Sequence, residues 1–238
     1  MSKTLFIADL HLCNERPEIT SGFLNFLYSE AKNADALYIL GDLFESWIGD
    51  DDPNPLHTTI ANVLRQLSIP CYFLHGNRDL LLGQNFARTS GINLIPEEQV
   101  LELYGQSVLI MHGDTLCTQD IFYLRYRKIA KTRWFQNLFL SLPIHIRKKI
   151  ALKIRTISKH KNAHNYIETL DVNLKLVIDL MFHYDAQVLI HGHTHRSAVH
   201  QVSIHGRSAQ RLVLGDWNKN GSAITVSRND IQLISFPL

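Results

Sequence analysis

Thr4-Leu5-Phe6-Ile7-Ala8-Asp9-Leu10-His11 passes from an apolar run straight into a carboxylate and an imidazole. The run predicts a short buried strand, and the polar pair falls where such a strand gives way to a loop. Alternate side chains of an extended segment share one side, so Asp9 and His11 are placed to grip one cation together. The same construction recurs down the chain. Ala36 to Leu40 leads to Gly41-Asp42, and Cys71 to Leu74 leads to Gly76-Asn77-Arg78-Asp79. Val108 to Met111 leads to His112-Gly113-Asp114, and Val188 to Ile190 leads to Gly192-His193-Thr194-His195. The expectation is an α/β fold with the polar islands on strand-end loops along one edge of a sheet.

Taken singly, each island is an ordinary turn signal. In series, they assemble the oxygen and nitrogen donors of two adjacent divalent ions. Phosphoester hydrolysis at neutral pH needs a hydroxide that bulk water does not supply; one ion lowers the pKa of its water while a second clamps the phosphoryl oxygens. Asp42 is the natural bridging carboxylate, Asn77 offers a neutral carbonyl oxygen, His112 completes the second ion, and His193 and His195 repeat the relation of Asp9 to His11. Such a mixed set suits manganese, iron or zinc.

Composition bounds the rest. A chain of 238 residues with 45% hydrophobic content can bury a large core, and no second domain is required. Cys13, Cys71 and Cys117 are odd in number and lack a Cys-x-x-Cys spacing, so neither a disulfide framework nor a thiolate zinc site is expected, and a reducing cytoplasm fits. The apolar stretch Leu5 to Ala8 is too short for a signal peptide, and no run approaches the roughly 18 residues of a membrane span. The Asp50-Asp51-Asp52 run lacks the ligand spacing of a calcium loop and reads as a solvent-facing turn. Arg211 to Leu214, Ser222 to Val226 and Ile231 to Ser235 read as strands of a closing antiparallel meander.

A net charge of +2 conceals a sharp asymmetry. Residues 121–167 hold 12 of the 24 Lys and Arg and no Asp or Glu, which leaves 12 basic and 22 acidic residues elsewhere. Apolar residues at Leu124, Ile129, Trp134, Leu138 and Phe139, then at Ile146, Ile150, Ile154 and Ile157, predict two amphipathic helices separated by Pro143. The segment is read as a helical lid inserted in a single domain, residues 1–238, with one cationic face and one greasy face.

The ordered islands between Asp9 and His195 resemble those of the calcineurin-like metallophosphoesterases. That resemblance implies a four-layer αββα sandwich with two metal ions: one held by Asp9, His11, Asp42 and His195, the other by Asp42, Asn77, His112 and His193. Where many members follow the asparagine with histidine, this chain has Arg78. A guanidinium does not give up a proton, so Arg78 is expected to stabilise phosphoryl charge.

Gly-Asn-Arg-Asp, the stretch Gly41 to Asp50, the stretch His112 to Asp120 and the basic insertion are similar to the branch of the family that hydrolyses an acylated nucleotide sugar. This likeness implies manganese as the metal, water as nucleophile at the nucleoside-side phosphorus, and substrate contacts from Asn77, Arg78, Asp120, Ser158, Asn162 and His193. Asn165 stands where that branch has lysine, which leaves at most a hydrogen bond there. A diphosphate attracts basic side chains and alkyl chains need an apolar groove, so the lid suits such a substrate. Its cations also favour an anionic membrane surface. The expectation is a monomer on the cytoplasmic side of the inner membrane, held peripherally, with no nucleic-acid partner. Two other readings remain open: a phosphodiesterase or nuclease on the same metal core, and a binding module that uses the basic segment alone.

Overall fold

The computed structural model describes residues 2–164 and 171–238, without the side chains of residues 157–164. Two sheets lie face to face. The first takes β1 (Lys3–Ile7), β2 (Ala36–Ile39), β3 (Cys71–Phe73) and β4 (Asn93–Leu94), which run parallel, and adds the C-terminal hairpin β10 (Asn220–Ser227) and β11 (Ile231–Pro237). Its order is β11-β10-β1-β2-β3-β4. The second takes β5 (Glu98–Leu103), β6 (Gln106–Met111), β7 (Val188–His191), β8 (Ala198–Ile204) and β9 (Arg207–Val213) in the order β5-β6-β7-β9-β8.

Period-two alternation explains the layering. In β1, Leu5 and Ile7 face one way and Phe6 and Ala8 the other. Phe6, Tyr38, Leu40 and Leu74 meet Val108, Ile110, Val188, Ile190 and Leu212 between the sheets. Leu5, Ile7, Leu37, Ile39 and Phe73 face outward onto α1 (Pro17–Ser29), α2 (Pro55–Arg65) and α3 (Gln84–Ser90). Ile19, Phe23, Phe26 and Leu27 form the buried stripe of α1. On the far side, Leu109, Met111 and Leu189 pack on Val177 and Met181. Those two belong to α7 (Leu174–His183), which is capped by the Asn173 side chain accepting from Leu176 N at 3.2 Å. The αββα layering implied by the family resemblance is therefore present.

Several expectations change. Strands β1, β2 and β3 end in one sheet and β6 and β7 in the other, so the islands gather at a seam between two sheets and not along one edge. The closing meander does not form: β9 lies parallel to β7 in the second sheet, and only β10 and β11 join the first. Strand β8 was not anticipated, because Val199 and Val202 are too sparse a pattern among its exposed polar residues.

The basic segment holds three helices among the described residues: α4 (Ile121–Ala130), α5 (Arg133–Leu140) and α6 (Ile144–His164). The additional break falls at Lys131 and Thr132. Thr132 turns extended, with φ −73° and ψ 135°, and no proline or glycine marks it.

The Asp50–Asp52 run is likewise no plain solvent-facing turn. Asp50 accepts from the backbone N–H groups of Gly83, Asn85 and Phe86 at the start of α3. Asp51 pairs with Arg147, and Asp52 with Lys148 at 3.0 Å. The missing acids of the basic helices thus sit on the body beneath them: Arg155 pairs with Glu45, Arg127 with Asp114 and Glu97, and Lys131 with Glu97.

Candidate metal centre

Five chain segments deliver their polar side chains to one point. Five of the seven expected ligands, namely Asp9 (φ 56°), His11 (52°), Asp42 (51°), His193 (67°) and His195 (58°), have left-handed backbone. That region is unusual for a residue bearing Cβ, and such strain gathers at functional sites. Two glycines are required by close approach. A Cβ on Gly76 would lie 2.1 Å from the Asp42 carboxylate, and one on Gly192 would lie 2.3 Å from the Asp9 carboxylate.

Burial makes the cluster electrostatically demanding. Asp9, Asp42 and His112 are at most 2% exposed. The Nε2 atoms of His11 and His195 lie 3.4 Å apart, and His195 Nε2 is 3.4 Å from Asp9 Oδ1. His11 Nε2 is 3.9 Å and His112 Nε2 3.7 Å from opposite oxygens of Asp42. Asn77 Oδ1 receives His112 Nε2 at 3.0 Å and His193 Nδ1 at 2.9 Å. The backbone N–H groups of His193 and Arg78 donate to Asp9 Oδ2 and Asp42 Oδ1, each at 2.8 Å.

A cation fits this geometry on one plain ground. Among the described residues Asp9 Oδ1 is buried with no hydrogen-bond partner, although three imidazoles surround its carboxylate, and a buried charged acceptor left so is costly. Asp9, His11 and His195 can hold one ion, and Asp9, Asp42 and His112 can hold another.

Protonation follows the same logic. Burial opposes a charge on Asp9, yet His195, His112 and His11 together hold its carboxyl well below the ordinary range. Burial pushes Asp42 up to about 7. It also lowers His11 and His193 to about 3, so both rings are neutral with a lone pair to offer. His112 is buried too, but Asp42, Asp9 and Asp114 outweigh that and raise it to about 9. Its Nδ1 faces the Leu40 carbonyl at 2.8 Å, which can only accept, so Nδ1 carries a proton and Nε2 points at Asp42 and Asn77.

Arg78 does not pair with Asp79 among the described residues. Asp79 is fully buried and braces two islands by accepting from Gly76 N and Leu43 N at 2.8 Å each. Arg78 lines a cleft of about 280 Å³, and its Nε is buried without a partner among the described residues. Asn77 and Asp120 border the same cleft, which continues between Phe122, Phe135, Phe139 and Ile154. Asp120 also caps α4, accepting from Tyr123 N at 3.0 Å. Ser158 and Asn162 fall on α6, but their side chains lie outside the described residues, as does Asn165 altogether.

Sequence reading missed three supporting residues. Glu45 approaches His11 Nδ1 at 3.3 Å. Asp216 approaches His195 Nδ1 at 3.8 Å. Tyr123 stacks on His193, with ring centroids 6.1 Å apart, and bonds Asp114. Glu45 stands three positions after Asp42, a local signal, whereas Tyr123 and Asp216 lie well beyond the nearest islands and no local pattern marks them.

The family model for calcineurin-like phosphoesterases matches residues 2–197. The chain belongs to the calcineurin-like phosphoesterase family. Calcineurin-like phosphoesterases act with divalent metal ions, in accord with the donor set above. The chain is 56% identical over 237 residues to a protein named UDP-2,3-diacylglucosamine hydrolase from Escherichia fergusonii, covering 98% of this chain and 99% of that relative. The same identity and coverage hold for the protein of that name from Klebsiella pneumoniae. Among solved structures, vacuolar protein sorting 29 from Cryptosporidium parvum is similar in fold, with a TM-score of 0.52 at 14% identity, covering 100% of this chain and 91% of that one.

Proposed function

We propose that this chain hydrolyses UDP-2,3-diacylglucosamine to UMP and 2,3-diacylglucosamine 1-phosphate, a step of lipid A biosynthesis. The observation that carries this reading is the cleft, polar at Asn77, Arg78 and Asp120 and apolar where it runs between Phe122, Phe135, Phe139 and Ile154. A diphosphate at one end and acyl chains at the other match that division. Each buried methylene contributes about 0.8 kcal/mol. Near-full-length identity to relatives bearing that enzyme name supports the same substrate.

Two ions, manganese as the preferred metal, would be held by Asp9, His11, Asp42 and His195 and by Asp42, Asn77, His112 and His193. When bound, they supply an activated water and neutralise phosphoryl charge. The protein's own groups do the rest. Arg78, with a guanidinium that keeps its charge, steadies the negative charge that grows on the phosphoryl group. Asn77 touches both the donor cluster and the cleft edge, His193 stacks on Tyr123 of the cleft lining, and the two would orient the reacting phosphorus. Asp120, Ser158, Asn162 and Asn165 serve the sugar and nucleotide portion. Residues 121–167 act as a lid on a single catalytic unit spanning residues 1–238, working as a monomer against the cytoplasmic face of the inner membrane. No described helix is long and apolar enough to cross a membrane.

Incubation with UDP-2,3-diacylglucosamine and Mn²⁺ in isotopically labelled water tests the reading. Mass spectrometry should find UMP and the sugar phosphate, with solvent oxygen in UMP. Label in the sugar phosphate would overturn the site of attack, and absence of both products would overturn the substrate.

A further inference from the structure

Glu45 lies between the metal centre and the basic helices, 14% exposed, three positions after Asp42. Its Oε2 is 3.3 Å from His11 Nδ1, and its Oε1 is 2.7 Å from Nε of Arg155 on α6. Among the described residues both nitrogens are buried and neither makes a hydrogen bond, and Glu45 is the acceptor placed within reach of each as an ion-pair neighbour. The other imidazoles are held differently. A backbone carbonyl from the body fixes His112, and Asn77 receives His193. Of the imidazoles in the centre, His11 is the one, among the described residues, whose outer nitrogen faces a group that is itself tied to a helix of the insertion.

We propose that Glu45 is a positioning residue that couples the seating of α6 to the affinity of the metal centre. A carboxylate beside the outer nitrogen of a ligating histidine fixes the proton there, orients the ring and makes the inner nitrogen a better donor. Arg155 holds the opposite oxygen, which fixes the carboxylate itself. When α6 is seated, His11 presents Nε2 towards His195 and Asp42; when α6 lifts, Glu45 loses its second anchor and His11 its orientation. Linkage makes the effect reciprocal: an ion bound at His11 steadies Glu45, and Glu45 steadies α6. The inference rests on the proposed reading that His11 is a metal ligand.

Calorimetric titration of the full chain with Mn²⁺, alongside hydrogen exchange of the α6 amides, tests it. Wild type should bind Mn²⁺ and show slower exchange across residues 144–156 on binding. Glu45→Gln should weaken Mn²⁺ affinity by roughly 10- to 100-fold, the range for a lost partner of a ligating histidine. It should also abolish the added protection of α6. Arg155→Gln, on the more exposed side of the pair, should weaken affinity in the same direction without touching His11, and keeps the test alive if Glu45→Gln fails to fold. Wild-type Mn²⁺ affinity in both variants, or metal-induced protection of α6 that survives in both, would overturn the coupling. A wild-type chain that binds no Mn²⁺ would overturn the metal reading itself, which separates the two failures.

Discussion

At the scale of single residues, His112 decides how the centre responds to pH. Its pKa is raised to about 9 by the surrounding carboxylates, so at neutral pH the metal-free centre stores a proton there that a ligating imidazole must lose. Mn²⁺ affinity should therefore climb with pH, up to about tenfold per unit between pH 7 and 8, and level off above about 9. Titration calorimetry at pH 7 in buffers of different ionisation enthalpy should detect more than one proton released per centre formed, one from His112 and part of one from Asp42, whose carboxyl is pushed up to about 7. A pH-independent affinity would contradict this. Arg78 carries a second prediction. With its Nε unpartnered and its side chain in the cleft, Arg78→Ala should lower kcat by roughly 10²- to 10³-fold while Mn²⁺ binding is retained. Arg78→Lys should recover part of the loss, since it restores the charge but not the planar fork. Steady-state kinetics on the acylated nucleotide sugar distinguishes these outcomes.

At the scale of elements, Arg147 fastens the start of α6. Only 2% exposed, it donates to the Leu142 and Ile48 carbonyls at 2.9 and 2.7 Å and to the Asp51 carboxylate. Arg147→Met keeps most of the apolar stem but leaves buried carbonyls without donors, at a cost of about 1–3 kcal/mol. Hydrogen exchange near residues 144–151 should accelerate by roughly 10- to 100-fold, because about 1.4 kcal/mol is a factor of ten. The α1 amides should not respond. This fastening also shows where sequence reading stops. Apolar runs ending in Gly-Asp, Gly-Asn or Gly-His are local patterns, so the strand ends and the seven side chains that the structure gathers at one point were legible. The partner of Asp51 lies 96 positions away, and an acidic run gives no sign of a distant cation. Strand alternation says which residues face inward but not which sheet a strand joins, so β9 was misplaced beside β10. The break before α5 depends on Thr132 alone, and helical periodicity reads straight through it.

At the scale of the whole molecule, the insertion leaves a broad apolar and cationic surface. Phe122, Trp134, Leu138 and Leu152 are 73%, 63%, 58% and 59% exposed. Among the described residues, Arg125, Lys128, Arg133, Lys149 and Lys153 show no ion pair, whereas their neighbours Arg127, Lys131, Arg147, Lys148 and Arg155 are spent on acids of the body. Each free cation near an anionic surface contributes about 1 kcal/mol. The protein should co-sediment with vesicles containing phosphatidylglycerol, bind neutral vesicles less, and lose affinity as salt rises. Trp134→Ala should weaken binding at any salt, and equal binding to both vesicle types would contradict the role of charge. The seam between the sheets has a further consequence. Asp9, Asp42 and Asn77 come from the ends of one sheet, and His112, His193 and His195 from the other. An ion gripped from both sides is a rivet through the sandwich. Stripping it with a chelator should lower the melting temperature, and adding Mn²⁺ should restore it in a concentration-dependent way. The same cation that serves the chemistry would then hold the two halves of the molecule in register.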